Sequence, residues 1–182
     1  MEVSKILVAR SGNLGFVKVV GRGSFQNASC LKAFYEKLLK DGANRFVVDL
    51  DACTYLDSTF LGTLLPLGRQ LKNSGKGLHI LNVSARNLEL LRNLGLDRLI
   101  HIDGRAPASS NGNGAAAPRQ VDLNGVTEAD LEEIKCPVPT REEAAPNILQ
   151  AHQALMEFDP RNVPKFKDVV EFLREDLSQP TH

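Results

Sequence analysis

The stretch from Phe46 to Leu71, FVVDLDACTYLDSTFLGTLLPLGRQL, decides the fold. It begins with a short and nearly continuous apolar run, which is typical of a strand covered on both faces. Leucines at helical spacing follow from Leu61 to Leu71 and define one buried helix face. The triplet Asp57-Ser58-Thr59 therefore lies at the junction, where unpaired N–H groups and the positive end of the helix dipole collect. We expect the Ser58 hydroxyl to be exposed there and able to carry a phosphate.

Strand and helix patterns alternate on both sides of this stretch. Residues 3–9 and 14–20 predict two strands joined by a tight turn, and residues 21–24 predict a loop. A helix over 31–39, a strand at 78–83, a short helix capped by Ser84 and a last strand at 98–102 complete the pattern. This order predicts an α/β fold in which helices pack on a mixed β-sheet.

The composition changes after residue 103. Residues 104–126 are rich in Gly, Ala, Ser, Asn and Pro, which predicts a flexible linker between a domain at 1–103 and a helical extension at 127–182. In the extension, a capping-box signal at Thr140 precedes one amphipathic helix whose apolar face includes His152. Asp159-Pro160 breaks this helix, and a second amphipathic helix follows, with Phe166 on its apolar face. These two helices predict an α-helical hairpin.

The hairpin is too small to have a large core of its own. Its apolar faces must cover each other and one further surface, which is the domain, a second copy of the chain or a partner. From the sequence we favour a partner or a second copy, so a homodimer through the C-terminal helices is one expectation.

Composition argues against several classes of protein. The formal net charge is zero, which gives no support for nucleic-acid binding. The sequence has no apolar run of about 18 residues and no signal-peptide core at its start, so we expect a cytoplasmic protein without a membrane span. Cys30, Cys53 and Cys136 predict reduced and mostly buried thiols. The four histidines, at 79, 101, 152 and 182, lack the spacing of metal ligands.

The central motif resembles the STAS family, the antagonists of anti-sigma factors and their relatives. The resemblance rests on Asp49-Leu50-Asp51 at the end of the strand and on the run from Leu56 to Gly62, LDSTFLG, before the leucine-rich helix. It extends over about residues 3–103 and departs at Phe60, where many members have glycine. It implies a sheet of four or five strands with helices mainly against one face.

The resemblance also implies a regulatory protein that is not an enzyme and needs no cofactor. In partner switching, the unphosphorylated antagonist binds a serine-kinase-like anti-sigma factor and thereby frees a sigma factor. The kinase then uses ATP to phosphorylate the antagonist, which weakens the complex, and a phosphatase resets it. Ser58 is the predicted phosphorylation site and Thr59 the alternative. Predicted partner contacts are Asp57, Ser58, Thr59, Arg22 and Ser24.

Other interpretations of the same residues stay open. Ser58 is also a suitable helix N-cap, and Asp57 is also consistent with a solvated acid near a helix start. The domain could be a non-catalytic STAS subunit of a stress-signalling or transporter assembly, or a small-ligand sensor. Gly21 and Gly23 lack the further residues of a phosphate loop, and Ser58 lacks the Gly-x-Ser-x-Gly setting of a hydrolase nucleophile.

Overall fold

The computed structural model describes residues 3–104 and 123–179. These residues form seven strands: β1 (Lys5–Ser11), β2 (Leu14–Gly23), β3 (Arg45–Asp49), β4 (Cys53–Leu56), β5 (Leu78–Val83), β6 (His101–Gly104) and β7 (Glu132–Ile134). They also form five α-helices: α1 (Phe25–Lys40), α2 (Ser58–Asn73), α3 (Ala85–Asn93), α4 (Arg141–Phe158) and α5 (Val163–Ser178).

The strands form one mixed sheet in the order β6-β5-β3-β2-β1-β7, and β4 pairs with the far end of β2. β1 is antiparallel to both of its neighbours, β2 and β7, whereas β2, β3, β5 and β6 run parallel. The parallel pairs require crossover connections, and helices supply them. The predicted α/β class, with a mixed sheet, is therefore confirmed.

Side chains alternate between the two faces of the sheet, as the period of a strand requires. Val17, Val48 and Ile80 point toward the helices and belong to the main core. Phe16 and Val47, one position away, point to the opposite face and form a smaller cluster there. Helices α1 and α2 contribute their buried leucines to the main core. The prediction that helices lie mainly on one face, with a C-terminal helical hairpin, is confirmed.

The C-terminal extension wraps around the β1 edge of the sheet. Leu123, Val126 and Leu131 pack against the smaller cluster on the face away from the helices. Strand β7 then pairs with β1 and occupies that edge, which removes one exposed row of backbone hydrogen-bonding groups. Most of the predicted linker, residues 105–122, lies outside the described residues.

The helical hairpin, α4 and α5, returns to the helical face of the domain. Helix α4 lies against α2 and α1, and Leu155 of α4 is fully buried in the main core. Gly62 of α2 faces the backbone of Ala151, because a Cβ added to this glycine would lie 2.5 Å from the Ala151 carbonyl oxygen. The sequence left open whether the hairpin covers the domain, a second copy of the chain or a partner. The structure shows that it covers the domain.

The structure differs from the sequence-based assignments at three places. Residues 21–23, predicted as a loop, are the end of β2, since they pair with β4. β4 and β7 add two strands to the four or five that the family resemblance implies. The predicted strand at 98–102 is a 3₁₀ turn at Leu96–Arg98 followed by β6. β4 and β7 were not predicted because strands of four and three residues are too short to show a clear alternating pattern.

The expectation of reduced thiols is wrong for two of the three cysteines. Cys30 of α1 forms a disulfide with Cys136, which lies between β7 and α4. The two residues are 106 positions apart in sequence, but the return of the extension brings their Cα atoms within 5.8 Å. Cys53 has a buried thiol, 3.3 Å from the Tyr55 carbonyl oxygen.

The close approach of α2 and α4 predicts that two glycine substitutions in α2 differ in their effect on stability. Gly62→Ala should lower the free energy of unfolding by about 1–3 kcal/mol, because the new methyl group meets backbone. Gly68→Ala is the matched control, since its Cβ would meet the flexible end of the Leu99 side chain at 3.1 Å. Equal stability of the two variants in urea unfolding would contradict this packing.

Candidate functional site

The site is built at the point where β4 ends and α2 begins. Asp57 is extended and caps α2, because its Oδ1 atom accepts a hydrogen bond of 2.8 Å from the Phe60 N–H group. Its Oδ2 atom accepts a second bond of 2.9 Å from the N–H group of Phe25, the first residue of α1. One carboxylate therefore satisfies the amino ends of two helices. Asp57 is thus a structural cap and not a freely solvated acid.

Ser58 is the first residue of α2, next to this cap. Its Oγ atom lies 2.9 Å from the Nε2 atom of His152 in α4. Ser58 is half-buried, so its hydroxyl is less exposed than the sequence predicts. The reason is the hairpin, which the isolated motif cannot reveal: a residue 94 positions away covers the helix end.

The hydrogen bonds of His152 define its tautomer. The Nδ1 atom lies 2.7 Å from the carbonyl oxygen of Ile148, which is only an acceptor, so Nδ1 carries the proton. In the neutral ring, Nε2 is then an acceptor, and the Ser58 hydroxyl donates to it. His152 is 6% exposed, and its ring lies against Phe166, with ring centroids 4.7 Å apart. This burial lowers the pKa of His152, although the hydrogen bond to the Ile148 carbonyl and the negative charge of Asp57 act in the opposite direction.

The Ser58–His152 pair has two members of a hydrolase triad but a different third contact. A triad uses a carboxylate on Nδ1 to orient the ring and stabilise the imidazolium. Here a peptide carbonyl takes that position, and both oxygens of Asp57 are bound to backbone N–H groups. The arrangement fits a neutral histidine that accepts from a hydroxyl better than a base that activates it.

The other predicted contact residues are placed differently. Thr59 is 4% exposed, on the inner side of α2. Ser24 is also buried: it caps α1 through the Gln26 N–H group and shares a capping box with Asn27, which explains its position by folding alone. Arg22 is exposed, and its guanidinium carbon lies 4.3 Å from the centroid of the Tyr55 ring.

A groove of about 390 Å³ opens beside Ser58. Tyr55, Asp57 and Ser58 line it from the domain, Leu90 and Asn93 from α3, and Lys165 and Phe166 from α5. It connects the serine to solvent on the side that His152 leaves uncovered. His152 and Phe166 are the neighbours of Ser58 that the sequence motif could not predict. Their helical spacing marked them as parts of an apolar face, but no local signal says which surface that face covers.

Within residues 3–104 and 123–179, no group of three or more His, Cys, Asp or Glu side chains could hold a metal ion. His79 and His101 stack on neighbouring strands, β5 and β6, with ring centroids 4.8 Å apart. None of the helices in the same residues combines the length and the apolar character needed to cross a membrane.

The mixed sheet, the helices on one face and an Asp-Ser-Thr triplet at the start of a leucine-rich helix define a STAS-type α/β domain. The STAS domain family described as Mlab matches residues 6–101, more than half of the chain. The anti-sigma-B factor antagonist of Staphylococcus aureus is 32% identical over 87 residues, which cover 48% of this chain and 81% of that protein. This chain belongs to the STAS domain family, and the resemblance drawn from its sequence is confirmed.

Two solved structures are also similar to the chain. The anti-sigma factor antagonist SpoIIAA in its unphosphorylated form has a TM-score of 0.48 at 15% identity and covers 53% of this chain and 86% of its own. The Bacillus cell fate determinant SpoIIAA in the phosphorylated form has a TM-score of 0.46 at 15% identity, with coverages of 53% and 89%.

The double cap predicts a large effect for the loss of one carboxylate. Asp57→Ala should lower the free energy of unfolding by about 2 kcal/mol or slightly more, because it removes the acceptor for two helix N–H groups. Asp57→Asn keeps one amide oxygen and should lose less. Urea unfolding of the three proteins measures the order, and an alanine variant as stable as the asparagine variant would contradict the double cap.

The burial of His152 predicts a pH dependence. Its pKa is lowered below the ordinary 6.5, so the unfolded chain binds more protons than the folded one in the interval between the two values. The free energy of unfolding of the unmodified protein should therefore fall, relative to that of His152→Gln, as the pH drops through 6.5 toward the lowered pKa of the folded protein. His79, whose pKa is also lowered, contributes equally to both proteins and cancels. A constant difference between the two proteins across this range would contradict a buried neutral imidazole.

Proposed function

We propose that this protein is an anti-sigma factor antagonist whose binding to its partner is controlled by phosphorylation of Ser58. The observation that carries the proposal is the position of Ser58 at the first residue of α2, in a family member whose Staphylococcus aureus relative is named an anti-sigma-B factor antagonist. The proposed partner is an anti-sigma factor of the serine-kinase type, and a phosphatase reverses the modification. Because ATP binds to the kinase, the antagonist itself needs no cofactor and performs no catalysis.

The charge balance at the site supports a switch of affinity. A phosphoserine adds about −1.5 to −2 charges near neutral pH. At position 58 this charge would adjoin the Asp57 carboxylate, so a partner that buries the helix end would meet both charges together. The positive end of the α2 dipole would partly stabilise the phosphate within the folded domain. The expected result is weaker binding with little change in the fold.

The surface around Ser58 has groups that suit protein recognition. Arg22 and Arg86 lie on the Tyr55 ring, at 4.3 and 5.7 Å from its centroid, and Phe25 is partly exposed at the start of α1. Arginine and aromatic side chains are enriched in the centres of protein interfaces. Among the predicted contact residues, Arg22 is the accessible one, and we retain it as a partner contact. Thr59 stays the alternative phosphorylation site.

The proposal predicts that charge, and not size, at position 58 controls the complex. Tagged Ser58→Asp protein, recovered from its own cells, should retain about tenfold less of a serine-kinase-type protein than Ser58→Ala. Ser58→Asn is the matched control, because it has the size of aspartate without the charge, and it should behave like the alanine variant. Quantitative mass spectrometry of the captured proteins, with phosphopeptide analysis of residues 58 and 59, makes the measurement.

Equal capture by the aspartate and asparagine variants would contradict the switch. Co-purification with a transporter or stress-signalling assembly, indifferent to the charge at position 58, would instead select a constitutive subunit. A thermal shift caused by a small molecule, without any captured protein, would select a ligand sensor.

A further inference from the structure

We infer that the C-terminal hairpin, α4 and α5, is an intramolecular competitor for the Ser58 end of α2, and that it must leave this surface before a kinase or a partner protein can engage it. The inference deepens the proposed function and rests on it for the identity of the competing partner. It makes the extension a regulatory part of the switch, in addition to a structural cover.

The hairpin covers the functional residue itself. His152 accepts a hydrogen bond from the Ser58 hydroxyl at 2.9 Å, and Phe166 of α5 packs against the imidazole. A kinase must align the serine oxygen with the γ-phosphate of ATP and remove the hydroxyl proton. With His152 at hydrogen-bond distance, the hydroxyl already donates that proton to Nε2, and the imidazole fills the space beyond it. The groove beside Ser58 has room for a small molecule, but not for the protein chain of a kinase active site.

Docking of the hairpin is specific. Asn162, in the turn between the two helices, is fully buried and donates to the carbonyl oxygens of Leu94 and Leu155 at 3.0 and 2.9 Å. Asp159, also in the turn, is bound to Arg98 of the domain at 2.7 Å. Lys165 donates to the Asn93 carbonyl at 2.6 Å. These polar contacts hold the turn against the end of α3 and orient α4 so that His152 reaches Ser58.

The same interface is incompletely packed, which makes it separable. Three of the five buried residues of α4 are alanines, Ala144, Ala145 and Ala151, and these bury less apolar area than leucines would, although the fully buried Leu155 is also among the five. A groove of about 160 Å³ that is open to solvent lies between α1, α2 and α4. The amide nitrogen of Asn147 is buried beside it and has no hydrogen-bond partner among the described residues. A buried polar group without a partner costs free energy in the docked state.

Phosphorylation of Ser58 would break the hydrogen bond that the docked hairpin makes with it. A phosphoryl group in the direction of the present hydroxyl proton would occupy the space in which the His152 Nε2 atom lies at 2.9 Å. The modified serine would also have lost the proton that it donates to the imidazole. The docked hairpin therefore belongs to the unphosphorylated protein, and it opposes both the kinase reaction and capture by the partner.

The test introduces a thiol at the covered position in the full-length protein. Ser58→Cys provides a labelling site, and its rate is measured with a small reagent, iodoacetamide, and with a maleimide that carries a long polyethylene glycol chain. The ratio of the two rates reports access for large molecules and corrects for changes in thiol reactivity. Peptide mapping by mass spectrometry confines the measurement to position 58, and omission of reductant keeps the Cys30–Cys136 disulfide.

Two second-site variants open the interface from the hairpin side and leave the domain surface unchanged. Ala151→Arg places a large side chain against Gly62. His152→Asp removes the hydrogen bond to Ser58 and places a carboxylate near Asp57 without adding volume. This second variant provides the test if Ala151→Arg does not fold. Glu171→Arg puts the same arginine on an exposed position of α5 and is the control.

We expect the ratio of the large to the small reagent's rate to rise about tenfold or more in the two opened variants and to stay within about twofold in the control. An unchanged ratio in the folded opened variants overturns the inference. Phosphate on Ser58 in the protein's own cells is then measured in the same hairpin variants with serine restored, and it should rise in the opened ones. If the labelling ratio rises but Ser58 is never phosphorylated, the control of access stands and the phosphorylation switch of the proposed function fails.

Discussion

The carboxylate of Asp57 is the interaction on which the rest of the structure depends. Its two oxygens accept hydrogen bonds from the first turns of α1 and α2, so both helices start at one point beside the end of β4. Backbone N–H groups at a helix start have no partner within the helix, and leaving one of them unsatisfied in each of two helices would be costly. The cap therefore fixes where Ser58 lies relative to α1, and it also fixes the negative charge beside that serine. A structural requirement and an electrostatic setting for a switch come from the same side chain.

Sequence patterns predicted what local physics determines. The apolar run at 46–50, the leucine spacing after Ser58 and the capping box at Thr140 each depend on residues within one or two turns, and the structure has β3, α2 and α4 at these places. Contacts across the chain were beyond such reasoning. The Ser58–His152 bond joins residues 94 positions apart, and the disulfide joins residues 106 apart. His152 was visible as one member of an apolar helix face, but periodicity names a face without naming its partner.

The extension changes the domain on three sides. It covers the rear of the sheet with Leu123 and Val126, closes the β1 edge with β7, and places α4 over α2 on the front. The first two contacts protect apolar surface and a sheet edge, which any open sheet requires. The third is different in kind, since it covers the one helix end that the family resemblance marks as functional. A cover made only for stability would favour large apolar side chains, whereas the buried residues of α4 are three alanines, a histidine and a single leucine.

Because the hairpin covers Ser58 within the same chain, every competing ligand must bind strongly enough to displace it. Because α4 is tied to the domain by the chain and by the Cys30–Cys136 disulfide, it competes at a high and constant effective concentration. If the surface is open in only about 1% of molecules, the apparent affinity of a partner falls about 100-fold. The small side chains of α4 and the Asn147 amide nitrogen, which has no hydrogen-bond partner within residues 3–104 and 123–179, reduce the stability of the docked state, and so keep this factor within the range that a protein interface can overcome. Incomplete packing is therefore what a competitor requires: contacts specific enough to cover Ser58, and weak enough to be displaced.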